Sequence, residues 1–348
     1  MDPKPPLRVG LVGFGVAGAA FHAPIIAATP GLVLTAAVAT NPVAKEKLGE
    51  RYPDTQILAS VDDLVALDPD IAVVATPNET HFSIAQQLLQ AGIATVVDKP
   101  LATSVSEAQA LIDTATGYDT LLTCYLNRRW DGDFRTVREL IDSETLGDVF
   151  RFESRFERWR PTIKPGWKER PTAGSGVLFD LGPHLIDQAI QLFGPPTKVY
   201  SEIRTIRANA EVDDSAFLAL SHAGEVTSHL AMSAITAVPG PRFRVLGNDA
   251  GYLKYGFDPQ EADLRAGGRP DGVGAWGEEP KSKWGELCQG EERSPVATLP
   301  GCYPTFYTEL AKAVRTGGEP PVDPQDCVIA LKVIEQALGE SQYRFPTL

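Results

Sequence analysis

The chain has 348 residues, enough for two domains of roughly 100–200 residues each. Its 43% hydrophobic and 22% charged residues are those of an ordinary globular enzyme and exclude a disordered or fibrous chain. A formal net charge of −13 argues against nucleic acid as a partner, because phosphates are held by clustered Lys and Arg. It leaves a dinucleotide open, since backbone N–H groups at a helix N-terminus supply local positive potential.

The first 28 residues are apolar, but Asp2 stands where an export signal needs positive charge, and Gly10, Gly13, Gly15 and Gly18 break the run. No export signal is read there. No apolar run approaches the roughly 18 residues of a membrane span. Short apolar runs at 7–12, 32–40, 71–75, 94–98 and 120–125 predict strands, and helical patterns fill 17–28, 44–52, 61–67, 80–91 and 104–116. Runs such as Ile71-Ala72-Val73-Val74-Ala75 fit a parallel sheet covered on both faces. Ser104 and Glu107 have the spacing of a capping box. Alternating strand and helix predicts a doubly wound α/β domain over residues 1–126.

The pattern then changes. Over 149–159, Phe150, Phe152 and Phe156 alternate with Arg151, Glu153, Arg155 and Glu157, which predicts a strand with one wet face. Strand-like runs follow at 198–206, 215–221, 226–235, 243–246 and 252–255, mostly without helices between them. Residues 127–348 therefore read as an α+β domain with a large open, mostly antiparallel sheet. Residues 259–298, rich in Gly, Pro and charge, read as a long excursion, and a helix at about 324–338 closes the chain. The cysteines, Cys124, Cys288, Cys302 and Cys327, have no metal or disulfide spacing and read as reduced thiols of a cytoplasmic protein.

Gly13-Phe14-Gly15-Val16-Ala17-Gly18 is a G-x-G-x-x-G after an apolar strand and before a helical pattern, the context a dinucleotide turn requires. On that reading Gly13, Gly15, Val16, Ala17 and Gly18 cradle a pyrophosphate; otherwise they form a plain strand–helix turn. An acidic residue at the end of the second strand would bond the ribose 2′-OH of NAD, but Thr40 and Asn41 stand there, with Lys45 one turn on. The missing carboxylate permits a 2′-phosphate and favours NADP over NAD; alternatively Thr40 and Asn41 begin the next helix. Asp98-Lys99-Pro100 ends the fifth strand, where ligands of such sheets bind. Lys99 can stabilise a developing alkoxide or, desolvated, give up its proton; a solvated loop lysine is the alternative. Pro100 fixes the turn and is a candidate for a cis peptide. Asp180 and His184 share a helix face, and a carboxylate there raises the basicity of the imidazole. The alternative is a satisfied structural histidine, and Pro183 marks where the helix begins or kinks.

These motifs in this order, with Thr76-Pro77-Asn78-Glu79-Thr80-His81 between the first and the third, resemble the glucose–fructose oxidoreductase/inositol dehydrogenase (Gfo/Idh/MocA) family over the whole chain. Asn127-Arg128-Arg129-Trp130-Asp131, Arg158-Trp159-Arg160-Pro161, the run from Asp180 to Gln188, and Tyr255-Gly256-Phe257-Asp258 resemble its NADP-dependent scyllo-inositol dehydrogenase branch. The family usually has Glu-Lys-Pro where this chain has Asp98-Lys99-Pro100.

The resemblance implies a catalytic trio of Lys99, Asp180 and His184, with His184 the general base, Lys99 the partner of the alkoxide, and Asp180 an anchor. It implies cofactor contacts from Thr76, Pro77, Asn78, Lys99 and Trp167, although Trp167-Lys168 stands where relatives carry Trp-Arg. Asn127, Arg128 and Tyr307 are pocket candidates, with packing or ion pairing as the alternative for each. His81 reads as a structural residue at a helix start, residues 158–170 as a substrate-side loop, and His222 and His229 match no motif. The expected protein transfers hydride between a nicotinamide and a ring secondary alcohol of a polyol or sugar, as a homodimer or homotetramer built on its open sheet. Two rivals are an NAD-dependent glycosidase acting by transient oxidation and a nucleotide-binding sensor without catalysis.

Overall fold

The computed structural model describes residues 5–271 and 275–340; Asp2 and residues 272–274 of the expected excursion lie outside them. The chain begins β1 (Leu7–Val12), α1 (Ala23–Ala28), β2 (Leu32–Val38), α2 (Pro42–Arg51), β3 (Gln56–Leu58), α3 (Val61–Leu67), β4 (Ile71–Val74), α4 (His81–Gln90), β5 (Ala94–Asp98), α5 (Val105–Gly117) and β6 (Leu122–Tyr125). The six strands are parallel in the order β3-β2-β1-β4-β5-β6, the doubly wound arrangement expected. All of β4 and β6 is buried, as strands covered on both faces must be. The three-residue β3 had no signal of its own.

Local chemistry sets the ends of these elements. Asn41 caps α2, accepting the Val43 and Ala44 amides at 2.9 and 3.4 Å, so β2 stops at Val38 and the helix starts before residue 44. Ser60 and Asp63 form a reciprocal capping box on α3. At α5 the expected box is altered: Ser104 Oγ accepts the Glu107 amide at 3.2 Å, but the Glu107 carboxylate turns to the amide and hydroxyl of Thr103. Between β1 and α1 the chain makes a π-helical turn, Ala17–His22, in which the Ala23 N–H bonds the Gly18 carbonyl five residues back. Pro24 has no N–H and needs room one turn back, and the wide turn provides it.

The chain continues with α6 (Gly132–Asp142), β7 (Val149–Glu157), α7 (Gly176–Phe193), β8 (Pro196–Arg204), β9 (Ser215–His222), β10 (Thr227–Ser233), β11 (Phe243–Gly247), β12 (Gly251–Lys254), α8 (Gln260–Arg265), β13 (Gly285–Gln289), β14 (Glu292–Val296), α9 (Pro304–Thr316) and α10 (Pro324–Glu340). Eight strands form one sheet in the order β14-β13-β12-β11-β7-β10-β9-β8. Every neighbouring pair is antiparallel except β7 with β10. The expected excursion thus contains α8 and a hairpin that lengthens the sheet. α7 lies on β7, β9 and β10. It starts at Gly176 and runs on through Pro183, which neither begins nor ends it. On β7, Phe152 and Phe156 are buried as expected. Phe150 is half exposed, and Glu153 on the other face is buried between Arg155 and Arg244, each at 2.8 Å.

Packing divides the chain into two units. One gathers the stretch up to Trp130 with Pro259–Trp276 and Cys302–Cys327. The returning segments are tied in by the Gln260 side-chain amide, which donates to the Trp130 carbonyl at 3.2 Å, and by Thr123, whose hydroxyl donates to the Val322 carbonyl at 2.8 Å. The other unit gathers Asp131–Asp258, Gly277–Gly301 and the stretch from Val328 onward. Among the described residues no helix is long and apolar enough to cross a membrane.

Within the second unit, Arg207 and Asp214 form a buried ion pair at 3.0 Å, their side chains 3% and 0% exposed. The carboxylate also accepts the Ile206 and Arg207 amides, and the guanidinium reaches Glu169 at 2.7 Å. Removing one partner strands a buried charge. Arg207→Met is expected to lower the unfolding free energy by about 3–5 kcal/mol in denaturant titration; a loss below about 1 kcal/mol would show that the pair is not a net support.

Candidate active site

The parallel sheet brings several candidate residues to one edge. β1, β4 and β5 are adjacent, with Val12 beside Val74 and Val74 beside Val97, so the turns after them lie side by side at the strands' carboxyl ends. These turns carry the glycine motif, Thr76-Pro77-Asn78, and Lys99. β2, on the other side of β1, brings Thr40 and Asn41 to the same end. The strand order reverses between β1 and β4, the place where doubly wound sheets bind ligands.

The glycines of the first turn have different reasons. Gly13 has φ +97°, and an added Cβ would lie 2.7 Å from the Ala75 carbonyl oxygen. At Gly18 an added Cβ would strike the Gly13 carbonyl oxygen. Both are demanded by the fold. Gly15 is exposed, and a Cβ there would meet nothing within 4 Å. No protein atom requires a glycine at that point, whereas a pyrophosphate approaching the backbone does. The turn therefore fits a dinucleotide.

Thr40 and Asn41 are exposed. The Asn41 oxygen is committed to the α2 cap, so this residue does begin the next helix, as the alternative reading had it. Asn78 is buried, and the Thr80 hydroxyl holds the turn through Thr76 Oγ1 and the Pro77 carbonyl, each at 2.7 Å. The Lys99–Pro100 peptide is cis. His81 joins this turn to the Thr76 turn, its Nδ1 2.8 Å from the Pro100 carbonyl and its Nε2 3.0 Å from the Thr76 carbonyl. Burial holds its pKa below the usual imidazole value, against the pull of the Pro100 carbonyl and of Asp98. Both neighbours are carbonyls, so a neutral ring donates to only one of them. The residue is structural, and what it braces is the turn that carries Lys99.

Asn127 and Arg128 follow β6 and are buried. Arg128 holds Glu261 and donates to the Tyr303 hydroxyl at 3.1 Å. Tyr307 is fully buried, with its hydroxyl 2.6 Å from His22 Nδ1 and its ring against Tyr125 and Phe306.

Trp167, Asp180 and His184 belong to the second unit. Asp180 and His184 lie four residues apart on α7, with Asp180 partly exposed and His184 buried. Lys168 pairs with Asp180, and its ammonium lies 5.5 Å from the Trp167 ring centroid. The start of α7 is held by a residue that no local pattern announces. Asp213 accepts the Leu178 amide at 2.8 Å through Oδ2 and the Val177 amide at 3.0 Å through its carbonyl. Ser175, the residue in the cap position, instead donates to the Thr172 carbonyl. Gly176, at φ +88°, must be glycine because a Cβ would strike the Asp213 carboxylate. Burial pushes the Asp213 carboxyl up to about 6, against the amides that favour its ionised form. The neighbouring Asp214 adds to the rise and, through Arg207, holds Glu169 beside Lys168. The pair Asp213-Asp214 was the only sequence trace of this clamp. Among the described residues no cluster of His, Cys, Asp or Glu could hold a metal ion.

With this geometry in view, comparison with known proteins is informative. Residues 7–125 match the family described as "Oxidoreductase family, NAD-binding Rossmann fold", and residues 134–253 match the "GFO/IDH/MocA C-terminal domain". The chain is 37% identical to the oxidoreductase YdgJ of Escherichia coli over 97% of both proteins. It is 30% identical to the scyllo-inositol 2-dehydrogenase (NADP(+)) IolW of Bacillus subtilis, over 97% of this chain and 94% of that one. The solved structure of the yvaA protein of Bacillus subtilis superposes with a TM-score of 0.92 at 29% identity, over 98% of each chain.

The Asp213 carboxyl yields a prediction for stability. Its folded value of about 6 lies above the unfolded 3.8, so keeping it ionised costs stability above pH 6, and that cost fades as pH falls toward 4. Asp213→Asn retains an oxygen for the Leu178 amide without the charge. The variant is expected to be more stable than the parent at pH 8 by about 2–3 kcal/mol, the difference vanishing below about pH 4. Denaturant titrations at the two pH values check this; a variant less stable at pH 8 would mean that the charge itself holds the helix.

Proposed function

The chain belongs to the GFO/IDH/MocA family of oxidoreductases, and on that premise we propose that it oxidises a ring secondary alcohol of an inositol-like polyol or sugar with NADP. The observation that carries the reading is the α7 face on which the buried His184 follows Asp180 by one turn. Alcohol oxidation needs a base for the hydroxyl proton, whereas a nucleotide sensor needs none. The relationship to IolW supports the substrate class.

The glycine turn and Thr76-Pro77-Asn78 would hold the dinucleotide. Bound there, the nicotinamide supplies the hydride acceptor. Thr40 and Asn41 present no carboxylate to repel a 2′-phosphate, and Lys45 lies one turn along α2, which favours NADP. His184 accepts the hydroxyl proton. Without that transfer the carbonyl would form protonated and high in energy. Asp180, itself held by Lys168, favours and orients the imidazolium. Lys99, as a cation, lowers the energy of the developing alkoxide and takes no proton while charged.

Full-length protein assayed with inositols, aldoses and sugar lactones is expected to reduce NADP at least as well as NAD with a cyclic polyol or sugar; no turnover across that set would sink the reading. His184→Ala should slow oxidation by about 10²–10⁴-fold with NADP affinity preserved. Lys99→Arg should retain more activity than Lys99→Ala, because charge survives although geometry does not. If the two are equally inactive, Lys99 is the base.

We further propose that the large sheet pairs with a second copy of the chain. Along β9 and β10 buried residues alternate with half-buried ones such as Phe217, Ala219, His229 and Ala231. The second set forms a sheet face of the kind monomers usually cover. Light scattering at micromolar concentration should give at least a dimer, and a monomer would refute the pairing.

A further inference from the structure

His22 has no part in the reaction as proposed, yet it is a fully enclosed titratable group beside the residue that precedes Lys99. It closes the wide turn after the glycine motif and is wholly buried. Its ring centroid lies 4.4 Å from that of Tyr125. Nδ1 is 2.6 Å from the Tyr307 hydroxyl, and Nε2 is 3.9 Å from Asp98 Oδ1. The same Oδ1 accepts the Lys99 N–H at 2.9 Å.

We propose that His22 is a positioning residue for Lys99: locked by Tyr307 with its Nε2–H turned to Asp98, it holds that carboxylate ionised and folded onto the Lys99 amide. The proton placement follows from the partners. Burial, with Asp98 nearby, pushes the Tyr307 phenol well above its ordinary value, so the phenol keeps its proton. If it accepted from Nδ1–H, Nε2 would turn a bare lone pair toward a carboxylate inside the protein. If it donates to Nδ1, Nε2 carries the hydrogen and faces the carboxylate favourably. Four titratable groups bear on Asp98. Burial pushes its carboxyl up, but His22, then Lys99 and His81, pull it below the usual carboxylate range, and Tyr307 stays neutral. An ionised Asp98 in turn favours the ammonium form of Lys99. The arrangement resembles second-layer partners that fix a ligating histidine, with a lysine as the group positioned.

The kinetic part of this inference rests on the role proposed for Lys99; the placement of the proton does not. In the full-length protein, long-range ¹H–¹⁵N spectra should show a hydrogen on His22 Nε2, and a ring that carries hydrogen on Nδ1 alone would overturn the proposal even in a protein with no dehydrogenase turnover. In the active enzyme, His22→Phe, which keeps the packing on Tyr125, should lower kcat by about 10²-fold, the scale of a reacting group misplaced by about 1 Å. KM and NADP affinity should stay within about threefold. His22→Gln, which keeps a donor toward Asp98, should recover about tenfold of that loss. Asp98→Asn should lose activity similarly, and the double variant should lose little more, as expected of two residues acting through one contact. Additive losses, or a His22→Phe enzyme within about threefold of the parent, would overturn the proposal. If His22→Phe does not fold, Tyr307→Phe removes one hydroxyl only and should shift kcat in the same direction; an unchanged kcat there counts against the lock.

Discussion

Gly18 packs so closely on the Gly13 carbonyl that no side chain fits between them, and this contact fixes how the chain leaves β1. It starts the helical segment soon after the end of β1 and leaves the backbone at Gly15 exposed at the carboxyl end of the sheet. Because the segment starts there, Pro24 falls within its second turn, and the π-helical widening that accommodates Pro24 ends at His22. His22 is thereby set against Tyr125, Tyr307 and Asp98. One steric constraint thus connects the cofactor turn to the turn bearing Lys99. His81 makes a second connection by spanning the Thr76 and Pro100 carbonyls.

The second unit solves its positioning problem with buried charge. Asp213 and Asp214 are adjacent, and each holds a different part of the surroundings of α7. Asp213 takes the first amides of the helix, and Asp214 takes Arg207, whose other arm reaches Glu169 beside Lys168. Lys168 then pairs with Asp180 on the same helix. Hydrophobic burial holds α7 on the sheet, but it is non-directional and does not set the helix against sliding or rotation. Directional bonds at its first turn do that, and a carboxyl pushed up to about 6 is the cost of placing a charge there. Such costs are common at functional sites.

Much of this was legible because the relevant signals are local and periodic. The continuous apolar runs and intervening helical patterns specified the parallel sheet, and the glycine spacing located the tight turn after its first strand. Alternation located most strands of the second sheet. What escaped had weak or non-local signals. β3 is three residues long, and β14 is mostly exposed along its length, so neither shows a hydrophobic rhythm. α9 begins at Pro304, a start signal in its own right, yet it lies past a Gly- and Pro-rich stretch that masks its period. The return of α8 and α9 to the first unit depends on contacts such as Gln260 with Trp130, between residues 130 apart. Asp213 caps a helix that starts 37 residues earlier, beyond the reach of any capping motif. Phe150 failed because alternation states which face a residue is on, not whether that face is covered along the whole strand.

The aspartate before Lys99 shows how a one-methylene difference is absorbed. The Asp98 carboxylate is short enough to fold back on the next residue's amide, and it does so at 2.9 Å. In that position it stands 3.9 Å from His22, too far for a hydrogen bond. A glutamate carries its charge one methylene further from the backbone. Aspartate closes on the turn itself, and the buried His22 behind it, with Nδ1 beside the Tyr307 hydroxyl, leaves the turn that hydrogen bond.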